Sequence, residues 1–65
     1  MKEIGQFLEF FRPDGSWTMG TIEKIEPNKG YLMGYSLRYE PVYFMKEIQT
    51  DTIYHITEKD FVWDE

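Results

Sequence analysis

Apolar and polar residues alternate with a period of two through most of this chain, the pattern of half-buried strands. Leu8 and Phe10 alternate with Glu9, and Phe7 and Phe11 lie on the other face. In residues 17–25, Gly20 and Ile22 share one parity and Trp17, Met19 and Thr21 the other. Ile25 breaks that alternation, which predicts a bulge or sharp coil near Glu23 and Lys24. In residues 31–39, Tyr31, Met33, Tyr35, Leu37 and Tyr39 share one face. Residues 42–48 and 52–57 complete a set of short segments rich in β-formers.

Turn chemistry separates these segments. In Pro13-Asp14-Gly15-Ser16, Pro presets φ, Asp bonds its own backbone and Gly accepts positive φ. Pro27-Asn28-Lys29-Gly30 carries the same chemistry and predicts a second turn, with weaker signals at Glu40-Pro41 and at Gln49-Thr50-Asp51-Thr52. Tyr31, Tyr35, Tyr39 and Tyr43 also recur at helical spacing, but a helix would carry Gly34 inside it and meet Pro41. Thr57 followed by Asp60 resembles a helix N-cap box, and Phe61-Val62-Trp63 reads as a closing strand. The expectation between them is a single 3₁₀ turn at Glu58–Asp60. Residues 1–5 are too few for a stable helix.

The fold class is therefore all-β, and the 65 residues make one domain, 1–65. A strand order of this kind hides its edges best as a small barrel of five to six short antiparallel strands, with an extended central hairpin pairing 31–39 with 42–48. There is no cysteine, so no disulfide or thiolate metal site can brace the domain. Aromatic residues make up 18% of the chain and must supply much of the core.

This strand order is similar to that of SH3-like barrels, and within them of Tudor and Agenet modules. Residues 11–25, Phe-Arg-Pro-Asp-Gly-Ser-Trp-Thr-Met-Gly-Thr-Ile-Glu-Lys-Ile, resemble a Tudor first hairpin: an aromatic ends the first strand, an Asp-Gly turn follows, and a small-Thr-Ile-x-x-Ile run curves away. Ile56-Thr57-Glu58-Lys59-Asp60-Phe61 looks like the closing segment of that family. The resemblance implies an aromatic cage that traps a methylated cation by cation–π attraction, with Phe11 as one wall. The next cage position falls on Thr18, which is not aromatic, and its neighbour Trp17 points to the opposite face. The chain between Ile25 and Phe61 is also longer than in a minimal Tudor domain.

Charge narrows the choice of partner. Twelve Asp and Glu oppose seven Lys and Arg, a net charge of −5, with most of the excess after Gly34. Such a surface repels phosphate, so direct nucleic-acid binding and anionic membranes are disfavoured and a basic protein or peptide is favoured. No apolar run approaches a membrane span and no signal-peptide pattern opens the chain, so the expected compartment is the cytoplasm.

Enzyme chemistry finds little purchase. His55 is the only histidine, in a strand-like run, and Ser16 and Ser36 are the only serines, which gives no triad. His55, Glu58, Asp60 and Asp64 match no metal-ligand spacing, and the glycines are too scattered for a phosphate loop. No catalytic residue, cofactor or metal is expected.

The aromatics either fill the core or form a recognition surface. The second reading gives a non-enzymatic interaction module that uses Phe11, Trp17, Tyr35, Tyr39, Tyr43 and Phe44, flanked by Glu40 and Glu47. Two alternatives stand beside it. One is a small acidic inhibitor, of the phage type, that mimics nucleic acid in the channel of a host nuclease or other DNA-binding protein. The other is a homodimer formed by edge-strand pairing.

Overall fold

The computed structural model describes residues 2–33 and 36–63, with 28–33 and 36–39 described as backbone only. The chain is all-β. Strands β1 (Phe7–Phe11), β2 (Trp17–Met33), β3 (Ser36–Glu47) and β4 (Ile53–Ile56) form one antiparallel sheet in the order β1-β2-β3-β4. A 3₁₀ turn, Glu58–Asp60, follows β4.

The local signals set the ends of the first hairpin. Asp14 accepts from the Ser16 backbone at 2.9 Å, Gly15 has φ 89°, and the Gly15 N–H reaches the Arg12 carbonyl at 2.8 Å. The register then runs from Phe11 opposite Trp17 to Phe7 opposite Thr21. The ladder shifts between Ile22 and Lys24, the bulge that the broken alternation predicts. The 3₁₀ turn falls where expected. Its Asp60 carboxylate accepts from the Thr57 N–H at 3.2 Å, while the Thr57 hydroxyl is enclosed without a hydrogen-bond partner among the described residues.

The central hairpin differs from expectation. Neither Pro27-Asn28-Lys29-Gly30 nor Glu40-Pro41 turns the chain, and β2 and β3 run through both. There are consequently four strands in one open sheet instead of five to six. The reason lies in the pairing. Glu26 pairs with Val42 and Lys29 with Glu40, so Pro27 and Pro41 fall within the same register shift. Proline has no N–H to donate to a ladder, and the two strands place both prolines where the ladder is already interrupted. Gly34 and Tyr35, between β2 and β3, lie outside the described residues.

Among the described residues, the core draws on all four strands. Phe10, Ile22, Tyr43, Met45, Ile56 and Phe61 are buried together, with Leu8, Ile25 and Tyr54 packed against them. Each such side chain contributes on the order of 1.5–3 kcal/mol. Gly20 pairs with Glu47, and a Cβ there would lie 2.2 Å from the Lys46 carbonyl oxygen, so only glycine lets β2 and β3 approach this closely. The chain after the 3₁₀ turn returns to β1 through one bridge, Phe10 to Phe61, and a hydrogen bond of 3.1 Å from Val62 N–H to the Glu9 carbonyl. The expected closing strand at 61–63 is thus a single bridge followed by a bend.

Candidate functional site

The first hairpin brings Phe11 and Trp17 directly opposite each other at the end of the β1–β2 ladder. Both remain open to solvent, Phe11 at 38% and Trp17 at 50% of full exposure. Strand alternation turns the next residue inward, and Thr18 is buried. The turn chemistry of Asp14 and Gly15 therefore fixes an aromatic pair on the face of the sheet opposite the core.

An ionic cluster supports this pair from beneath. Glu47 retains only 2% exposure. Its Oε2 accepts from Arg12 Nε at 2.8 Å, from Arg12 Nη2, and from the Thr18 hydroxyl at 2.5 Å, while the Thr50 hydroxyl donates to Oε1 at 2.6 Å. Arg12 Nη1 donates to Ser16 Oγ at 2.8 Å and to the Trp17 carbonyl at 3.2 Å. A buried carboxylate is thus satisfied on both oxygens, and its arginine also holds the backbone at Trp17. The hydrogen bonds from Thr18 and Thr50 hold the Glu47 carboxyl below the usual carboxylate range. Burial opposes them and Arg12 reinforces them. The sequence reading places Glu47 as a carboxylate flanking the aromatics; it is instead enclosed, because β3 alternation turns it to the same side as Met45.

Tyr43 belongs to the interior as well, at 5% exposure, and takes no part in a surface. Its ring meets Phe61 edge-on at 5.1 Å, and its hydroxyl donates to Glu58 Oε2. Burial, followed by the bond to Glu58, pushes the phenol up to about 12. Glu58 also pairs with Lys2 Nζ at 2.9 Å, and that ammonium lies 4.7 Å from the Phe61 ring centroid. Burial pushes the Glu58 carboxyl up, but the bonds from Tyr43 and Lys2 outweigh it and leave it lowered. Lys2 thus ties the start of the chain to the 3₁₀ turn, a contact between residues 56 apart in sequence that no local pattern announces.

The remaining sequence candidates are dispersed. Phe44 is half-buried, stacked on His55 at 4.1 Å with Lys24 Nζ 5.3 Å from its ring centre. Glu40 is half-buried. Tyr35 and the side chain of Tyr39 lie outside what the structure describes. Phe11 and Trp17 are therefore the pair that the described fold brings together.

The outer face also carries residues the sequence reading passed over. Phe7, Thr21, Lys46 and Ile53 form one row across all four strands. Ile48 donates its N–H to the Met19 carbonyl at 3.1 Å, which sets its exposed side chain beside β2. A hollow of about 130 Å³ is lined by Arg12, Trp17, Met19 and Ile48. A second, of about 390 Å³, lies between Phe11, Pro13, His55 and Lys59. Exposed Trp63 donates from Nε1 to Glu9 at 2.6 Å. Parity within each segment was the available signal for Phe7, Met19 and Ile53; Ile48 follows the end of β3 at Glu47 and borders a turn, where parity gives no face.

Among the described residues, no cluster of His, Asp and Glu has a geometry suited to holding a metal ion. Among the same residues, no helix is long and apolar enough to cross a membrane. Compared with protein-family models, with curated proteins and with solved structures, the chain shows no match.

Proposed function

We propose that this chain is a non-enzymatic protein-interaction module of SH3-like barrel form, which contacts a protein or peptide through the aromatic pair Phe11 and Trp17. The observation that carries this reading is the pair itself. Two large rings stand opposite each other in register, half exposed, at a site where Arg12, paired with the buried Glu47, also donates to the Trp17 carbonyl. Aromatic side chains on a rigid frame are the residues that dominate interface hot spots, because they bury large area with little loss of freedom. The barrel form is supported by the Phe10–Phe61 bridge, which carries the chain after β4 back to β1. This return covers part of the outer edge of β1.

The inhibitor reading has partial support. Nucleic-acid mimicry needs carboxylates held outward, and Glu47 is enclosed, while Glu3, Asp14, Glu23, Asp51 and Glu58 remain exposed. A basic partner remains the expectation from the net charge of −5. The experiment is a photo-crosslinking comparison in extract of the source organism between the natural chain, Trp17→Ala and Phe11→Ala, with thermal unfolding measured alongside. Crosslinked partners that disappear from both variants while the unfolding transition stays within a few degrees support the surface. The same partners retained at equal yield in both variants remove it.

A further inference from the structure

The free edge of β4 has a property that the aromatic surface does not use. Glu47 N–H donates to the Thr52 carbonyl at 2.8 Å, and the register continues through Lys46 with Ile53 and Met45 with Tyr54. In an antiparallel ladder both backbone groups of a residue point the same way and alternate along the strand. Tyr54 and Ile56 therefore bond to β3, and the backbone groups of Ile53 and His55 point outward. β4 is last in the sheet order, so no described strand of this chain receives them.

That edge is also free of formal charge. Ile53-Tyr54-His55-Ile56 holds no Asp, Glu, Lys or Arg, in a chain where 29% of residues are charged. Charged side chains and prolines are the usual means by which edges refuse a new strand, and β4 has only its shortness. The outward pair is moreover self-complementary. With a two-fold axis through Tyr54, Ile53 of one copy stands opposite His55 of the other, and each such pair exchanges both of its hydrogen bonds. This register sets Asp51 against Thr57. A shift of one residue would set Asp51 against Glu58 and would also point the backbone groups the wrong way.

We propose that β4 is a homodimerisation edge, where two copies join antiparallel about Tyr54 to make one continuous sheet. A four-residue strand buries less than the ~1,200–2,000 Å² of a permanent complex. The dimer is accordingly concentration-dependent, forming in the micromolar to millimolar range. Phe11 borders the same hollow as His55, whereas Trp17 lines a different one, so Trp17 separates this edge from the partner surface.

The test is sedimentation equilibrium of the natural chain from about 10 μM to about 1 mM, with His55→Pro and Ile53→Lys in parallel. His55→Pro removes an outward N–H without touching the β3 ladder, the position where strands tolerate proline. Ile53→Lys adds a charge to the edge and covers the case in which the proline variant fails to fold. Trp17→Ala serves as the control for the other surface. The expected result is a mass that rises towards twice the monomer in the natural chain and in Trp17→Ala, with association at least tenfold weaker in each folded edge variant. Amide exchange at Ile53 and His55 should slow as concentration rises. A monomer mass throughout the range, or a dimer unchanged by the edge variants, overturns the proposal.

Discussion

Arg12 Nε donates to Glu47 Oε2 across 2.8 Å, joining residues 35 apart in sequence and tying the first hairpin turn to the end of β3. The pair is more than a strut. Arg12 also reaches the Trp17 carbonyl, and Glu47 also accepts from Thr18 and Thr50. The β1–β2 turn, the β3–β4 turn and the backbone under the aromatic pair thus share one buried carboxylate.

That carboxylate should make stability acid-sensitive. Its folded pKa is depressed, so its contribution is present above the ordinary carboxylate value and is lost as pH falls through the folded value. Asp14, lowered by its bonds from Ser16, acts in the same direction. Glu47→Gln should be less stable than the natural chain at pH 7, and the gap should narrow below about pH 4. Urea unfolding at several pH values measures this; a gap that is constant with pH would falsify it.

Tyr43 should act at the other end of the scale. Its phenol is raised to about 12, so the unfolded chain loses this proton first as pH climbs. Its contribution is complete below about pH 10 and fades as pH rises towards 12. Tyr43→Phe gives up the bond to Glu58 and should be less stable at neutral pH, yet lose less stability between those two values. Unfolding curves of both proteins at alkaline pH provide the comparison.

Two glycines should fail for different reasons. Gly20→Ala drives a methyl group against the Lys46 carbonyl oxygen, and the strands must part to admit it. The cost should be about 3 kcal/mol or more. Gly15→Ala meets no atom within 4 Å but sits at φ 89°, and should cost about 1–2 kcal/mol from backbone strain alone. Equal losses for the two variants in denaturant unfolding would contradict the close approach of β2 and β3.

Phe10→Ala should remove about 3–5 kcal/mol, since Phe10 is fully buried and also forms the bridge to Phe61. Lys2→Met should cost only about 1 kcal/mol, by loss of its ion pair with Glu58 and its contact with Phe61. Amide exchange at Val62 separates the two roles. It should accelerate strongly in the first variant and modestly in the second.

Several features of this protein are written in neighbouring residues. The Asp14-Gly15 turn, the extent of β1, the bulge after Ile22 and the 3₁₀ turn at Glu58–Asp60 all follow from φ preferences and side-chain-to-backbone bonds that span a few positions. The all-β class follows from the same alternation, as does the opposite placement of Trp17 and Thr18. Tertiary structure decided the rest. Pro27-Asn28-Lys29-Gly30 has the chemistry of a turn, but the strand opposite brings Pro41 to the same place, and the two share an interruption in the ladder while both strands continue. Glu47 and Tyr43 have the composition of a recognition surface, but Arg12, Thr18 and Thr50 enclose the one, and Phe61 with Glu58 encloses the other. A short turn is settled by the conformations its own residues can adopt. Whether a polar or aromatic side chain ends inside or outside depends on partners brought from dozens of residues away, and those partners exist only once the sheet has formed.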